Sequence, residues 1–223
     1  FFSSGGEPVS VLVLTPPEVS PYAEVSPDRR GEMARVATLA HLARTTARII
    51  VCVAAPQLVR KVVPRDALRA HTQRVVYGEV LDREALLRAL SEAGYLRVPL
   101  VEDPGTFAVR GSLVDVWPPA AQGGDFSRDE PVRIELDDEL VVGLKRFDPH
   151  DQRTSKDADL DELWLPPARE AIFTPANVAR AKARILDLAD THDVPTVKAR
   201  GLADDVATGR AFFGADGYLP TYY

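Results

Sequence analysis

The hydrophobic pattern opens on a compact β-branched and leucine run, Val9 to Leu14, which predicts a strand. Pro16-Pro17 and Ser20-Pro21 interrupt it. Ser26 then precedes Pro27, a capping residue followed by a good first-turn residue. Met33, Val36, Ala37 and Ala40 recur at helical spacing, so a helix is predicted from Pro27 to Thr45. Arg48 to Ala54 is apolar without alternation, the pattern of a fully buried strand, and Pro64 starts another short helix. Strand, helix, strand in this order suggests part of an α/β layer with a parallel sheet.

A different pattern begins near Arg74. Val75 to Val80 predicts a strand, and Asp82 caps a helix with Leu86, Leu90 and Ala93 on one face, closed by Gly94. Short strands with tight turns follow. Thr106 to Arg110 and Leu113 to Trp117 flank Gly111, and Val132 to Leu136 and Leu140 to Phe147 flank Asp137-Asp138-Glu139, a hairpin connection. Pro118 to Glu130 is a polar, glycine-containing loop. From about Arg74 to Pro166 the chain therefore predicts a small α+β domain with an antiparallel sheet.

Asp148 to Asp161 is charged and predicts a loop, and Pro166-Pro167 marks a boundary. Thr174-Pro175 opens a helix through Ala189 with Val178, Ala181, Ile185 and Leu188 on one stripe. Asp190 to Arg200 is polar and loop-like, and Leu202 to Gly214 predicts a last helix. Three segments result: 1–73, 74–166 and 167–223. The fold class is α/β, a partial layer plus a small α+β domain.

Composition narrows what such a chain does. Its 223 residues, 45% hydrophobic, suffice for one large or two small cores. The formal net charge is −6, which disfavours a general nucleic-acid surface, since phosphate contacts need a basic face. Proteins are the expected partners. The single cysteine, Cys52, lies in an apolar run and reads as a small buried residue in a reducing cytosol. No apolar run spans a bilayer, so a cytoplasmic protein without membrane contact is expected. The opening at Phe1-Phe2 and the close at Tyr222-Tyr223 read as the ends of a fragment.

Enzymatic chemistry is sparse. Gly5-Gly6 and Gly123-Gly124 lack the lysine of a phosphate-binding loop. His41, His71, His150 and His192 lie far apart, without zinc spacing. Asp137-Asp138-Glu139 is the best acidic cluster, and it is more simply a solvated turn. What remains is a surface. Arg133 and Glu135 alternate with Ile134 and Leu136, and Arg110 closes an alternating strand. If these strands are neighbours, Arg110 and Arg133 share one open sheet face, where a guanidinium fork is a good recognition group. On alternation alone, two ordinary surface arginines paired with Glu135 are the simpler reading. A rival function, DNA binding, would rest on a basic stripe from Arg29, Arg30, Arg60, Lys61 and Arg65.

Several motifs in series resemble a known family. Gly94-Tyr95-Leu96-Arg97-Val98, the run Asp103-Pro104-Gly105-Thr106-Phe107-Ala108-Val109-Arg110-Gly111, and Leu113-Val114-Asp115-Val116-Trp117-Pro118 are similar to a stretch of the transcription-repair coupling factors (Mfd), with a related version in the repair helicase UvrB. Pro131-Val132-Arg133-Ile134-Glu135, Phe147-Asp148-Pro149 and Leu165-Pro166-Pro167 continue it in order, and Tyr218-Leu219-Pro220 also fits. The resemblance implies the end of a degenerate, RecA-like helicase domain, a small UvrA-binding domain, and the start of a further domain. It implies that Arg110, Arg133 and Glu135 bind UvrA through an exposed sheet. RNA polymerase, DNA and ATP with magnesium would engage other modules of the full-length factor, leaving this fragment without a cofactor or catalytic residue of its own. Two departures stand out: Ala108 replaces an arginine of UvrB, and Leu136-Asp137 replaces a usual aromatic pair.

Overall fold

The structure, a computed structural model, describes residues 9–16, 28–122, 129–208 and 218–223, and the backbone alone for 156–158. It is a mixed α/β fold with parallel and antiparallel pairing. The expected cap at Ser26 lies outside the described residues. Within them, helix α1 (Arg29–Arg44) is capped by Asp28, whose carboxylate accepts from the Arg30 and Gly31 amides.

Strands β1 (Ser10–Leu14) and β2 (Ile49–Val53) pair in parallel as a two-stranded sheet. Its inner side buries Leu12 against Ala37 of α1 and Ala121. Its other side is open, and this corrects two expectations. No residue of β2 is fully buried, and Cys52 is exposed rather than internal. An apolar run signals a strand, yet burial needs a covering layer on both faces. A short 3-10 turn (Ala55–Val59) leads to α2 (Arg65–His71), whose Arg65 and Arg69 both donate to the Ala43 carbonyl near the end of α1.

The middle of the chain forms a six-stranded sheet in the order β4 (Leu96–Arg97), β5 (Thr106–Arg110), β6 (Leu113–Trp117), β7 (Val132–Asp137), β8 (Leu140–Phe147), β9 (Thr154–Asp159). Only β4 and β5 run parallel. One face buries Phe107, Val114, Val116, Ile134 and Leu144 against Leu86 and Leu90 of α3 (Arg83–Glu92). The charged run 148–161 holds strand β9 instead of being loop throughout. The expected strand over 75–80 is shorter, as β3 (Gln73–Val76), and pairs with β10 (Glu162–Leu165). Val80 only forms an isolated bridge to Leu140.

Helix α1 is fastened to this sheet domain. Met33 enters its core. Gly105, at φ +72°, lies so close that a Cβ would sit 2.5 Å from the Met33 sulfur. Arg29 donates to the Gly105 carbonyl at 2.9 Å, and Arg35 forms a buried ion pair with Glu170 at 2.5 Å. The C-terminal part packs α4 (Pro175–Thr191) on α5 (Thr196–Thr208), with α6 (Leu219–Tyr222) closing the cluster through Tyr222. Thr174 caps α4, as its Thr-Pro start predicts. Leu188 faces solvent rather than the core, and α5 begins inside the expected polar loop. Among the described residues no helix is long and apolar enough to cross a membrane.

Candidate functional site

The register of the sheet decides which side chains share its second face. Ala108 is opposite Asp115, Asp115 opposite Arg133, and Arg133 opposite Lys145. One step along, Arg110 is opposite Leu113, Leu113 opposite Glu135, and Glu135 opposite Gly143. Because strand side chains alternate with period two, both rows lie on the face away from α3. Arg110 and Arg133 are therefore on one side of the sheet, and Glu135 stands between Leu113 and Gly143.

One residue organises the face. Asp115 is 1% exposed and takes hydrogen bonds from both arginines. Arg133 grips it with two nitrogens, Nε at 2.7 Å and Nη2 at 3.0 Å. Arg110 reaches the same carboxylate through Nη2. A buried carboxylate needs such partners, and a bidentate guanidinium is the strong form of the pair. The hydrogen bond to Asp115, against some desolvation, raises the pKa of Arg133 above its ordinary value. Two cations share one buried anion, so the group keeps a net positive charge.

The two arginines differ in what they offer. The Arg110 side chain is 43% exposed and that of Arg133 only 13%. Arg133 lies 5.0 Å from the Phe147 ring centroid and donates to the Gln152 carbonyl at 3.3 Å. Gln152, at φ +62°, is in turn tied to the Val101 and Pro149 carbonyls. The chain's own 148–153 turn thus roofs one end of the face, over a small cluster of Val101, Ala108 and Phe147. The other end stays open.

Glu135 bonds directly to Lys145 rather than to an arginine, although its charge also helps Asp115 to raise the pKa of Arg133. It accepts from Lys145 Nζ at 2.9 Å, which raises the pKa of Lys145. Gly143 makes the approach possible, since a Cβ there would sit 2.5 Å from Glu135 Oε2. The strand pairing shifts register at Glu135/Leu136, leaving Val142 as the bulged residue of β8. Leu136 turns into the core at 5% exposure, while Asp137 is exposed before a turn with Asp138 at φ +55°.

Asp115 is the residue that sequence reasoning did not assign. Its signal was present: a lone carboxylate in the apolar strand Leu113-Val114-Asp115-Val116 must find cationic partners on its own face. Of the basic stripe, Arg29 and Arg65 sit near opposite ends of the 16-residue α1, about 24 Å of helix, and both donate to backbone carbonyls. Among the described residues no three metal-binding side chains gather.

This face lies within residues 74–170, which match the UvrB interaction domain family. Over 213 residues, 96% of its length, the chain is 40% identical to a transcription-repair-coupling factor of Myxococcus xanthus. Factors of the same description match at 30% over 166 residues in Bacillus subtilis and at 31% over 160 residues in Escherichia coli, 74% and 72% of the chain. The matched stretches cover 17%, 13% and 13% of those relatives, so the chain spans a small part of their length.

Proposed function

Because the chain belongs to the transcription-repair-coupling factor family and corresponds to its N-terminal region, we propose that it recruits UvrA to stalled RNA polymerase in nucleotide excision repair, by protein–protein binding. The observation that carries this is the Asp115 carboxylate holding Arg110 and Arg133 on one open sheet face. The arginine pair is fixed in place, partly exposed, and with Asp115 keeps a local positive charge on a chain of net charge −6. Arginine fixed in place loses little entropy on binding and is enriched at interface hot spots. A standard interface would bury about 800 Å² here. Arg110 makes the outer contact, Arg133 supports it from within, and Glu135, neutralised by Lys145, lies between the arginines and the β8 edge.

In this reading the layer of β1, α1 and β2 is the remainder of a degenerate, RecA-like helicase domain. ATP hydrolysis with magnesium, DNA translocation and RNA polymerase contact belong to other modules of the factor, and the recruitment step uses no cofactor. Immobilised chain should retain purified UvrA, and Arg133→Ala should release most of it. Equal retention by wild type and Arg133→Ala would remove this arginine from the site.

A further inference from the structure

The open end of the arginine face is not polar throughout. Val142 is 41% exposed and Leu140 42% exposed, and Val80, bridged to Leu140, is 73% exposed. Bridged residues point to the same side. Asp137 opposite Leu140, and Glu135 opposite Gly143, place this side with the arginines. Half-exposed Leu113 lies between Arg110 and Glu135 in the same row. One row therefore runs from a guanidinium through Leu113 and the Lys145-bound Glu135 to an aliphatic edge at the β8 bulge.

We infer that the bulge of β8, through Val142 and Leu140, is the apolar anchor of the UvrA-docking face. The inference rests on the recruitment reading above. Residues following Arg133-Ile134-Glu135 cannot serve, because Leu136 is buried in the core and Asp137 is charged. The register shift instead brings Val142 to the surface. Arg110 and Val142 stand about three strand spacings apart, roughly 14 Å, well inside a patch of about 800 Å².

The occupant is defined by the row's chemistry. It is a protein surface presenting a carboxylate to Arg110 and, about 14 Å away, an aliphatic or aromatic side chain to Val142 and Leu140. The carboxylate follows from the charge count, since Arg110 and Arg133 share a single buried anion. The apolar group follows from exposed aliphatics that no element of the described chain covers.

Calorimetry of UvrA with the whole chain tests this. The double variant Leu140→Ala, Val142→Ala changes no charge. It should weaken binding about tenfold, with a melting temperature near that of wild type. Unchanged affinity in the double variant, alongside loss in Arg110→Ala, overturns the anchor and leaves the recruitment reading standing. Absence of any wild-type binding overturns both. A second readout avoids truncation: a fluorophore on Val142→Cys in a Cys52→Ser background, since Cys52 is itself exposed. Its emission should shift on adding UvrA, and an unmoved spectrum counts against the anchor.

Discussion

A single buried carboxylate sets the chemistry of the arginine face. Asp115 has Val114 and Val116 beside it in the strand, both 0% exposed, and its charge is tolerable only because Arg133 and Arg110 answer it. Removing one member of a buried pair strands the other, which costs about 3 kcal/mol or more. That figure applies to Arg133, enclosed by Phe147 and the Gln152 turn; the half-exposed Arg110 contributes less. Asp115→Ala is therefore expected to lose about 3 kcal/mol in urea unfolding. It should also weaken UvrA binding although both arginines remain. A variant as stable as wild type would mean that the arginines are not held by this carboxylate.

At the scale of elements, the sequence was legible where side chains carry a strong period. Strands β5 to β8, the hairpin at Asp137-Asp138-Glu139 and the Thr174-capped α4 all follow from alternation or helical spacing. The failures have physical causes. Strand β9, from Thr154 to Asp159, is a polar edge strand at the end of the sheet order, and edge strands shed apolar residues to avoid unwanted pairing. Helix α5 buries Ala199, Ala203 and Val206 while Val197 is 86% exposed, so its inward stripe is too small-sided to register as hydrophobic. The common face of Arg110 and Arg133 was expected only if their strands were neighbours; β6 lies between them, and the shared face follows from its register with both. Gly143 shows how closely β7 and β8 are fitted. In Gly143→Ala the new methyl would displace Glu135 from above β8 and loosen its bond to Lys145. The expected cost is about 1 kcal/mol, that of a part-exposed ion pair plus local crowding, read as a lowered melting temperature. A variant with unchanged stability would show that Glu135 moves aside freely.

Over the whole molecule, α1 is the common support. Its N-terminal half seals the sheet domain through Met33 and Gly105 and meets the C-terminal segment through the Arg35–Glu170 pair. Its C-terminal half packs on α2. Protonation enters at this support. Burial, reinforced by Arg44, holds His41 below its ordinary pKa, and burial does the same for His71 against the opposing pull of Glu92. Above about pH 7 both are neutral folded and unfolded. Below about 6.5 the unfolded chain takes up protons first, so stability falls with pH. Thermal melts at pH 7.5 and 5.5 should show the lower value at 5.5, and His41→Gln should lose part of that difference.

On a chain of net charge −6, the arginine face balances Arg110, Arg133 and Lys145 against Asp115, Glu135 and Asp137, and its surplus positive charge is local to the two arginines that share Asp115. Titration of purified UvrA with wild-type chain and with Arg110→Ala probes that face most directly, because Arg110 is its most exposed cation. Saturable wild-type binding with a dissociation constant raised tenfold or more in Arg110→Ala is the predicted result. Identical binding curves for the two proteins would contradict it.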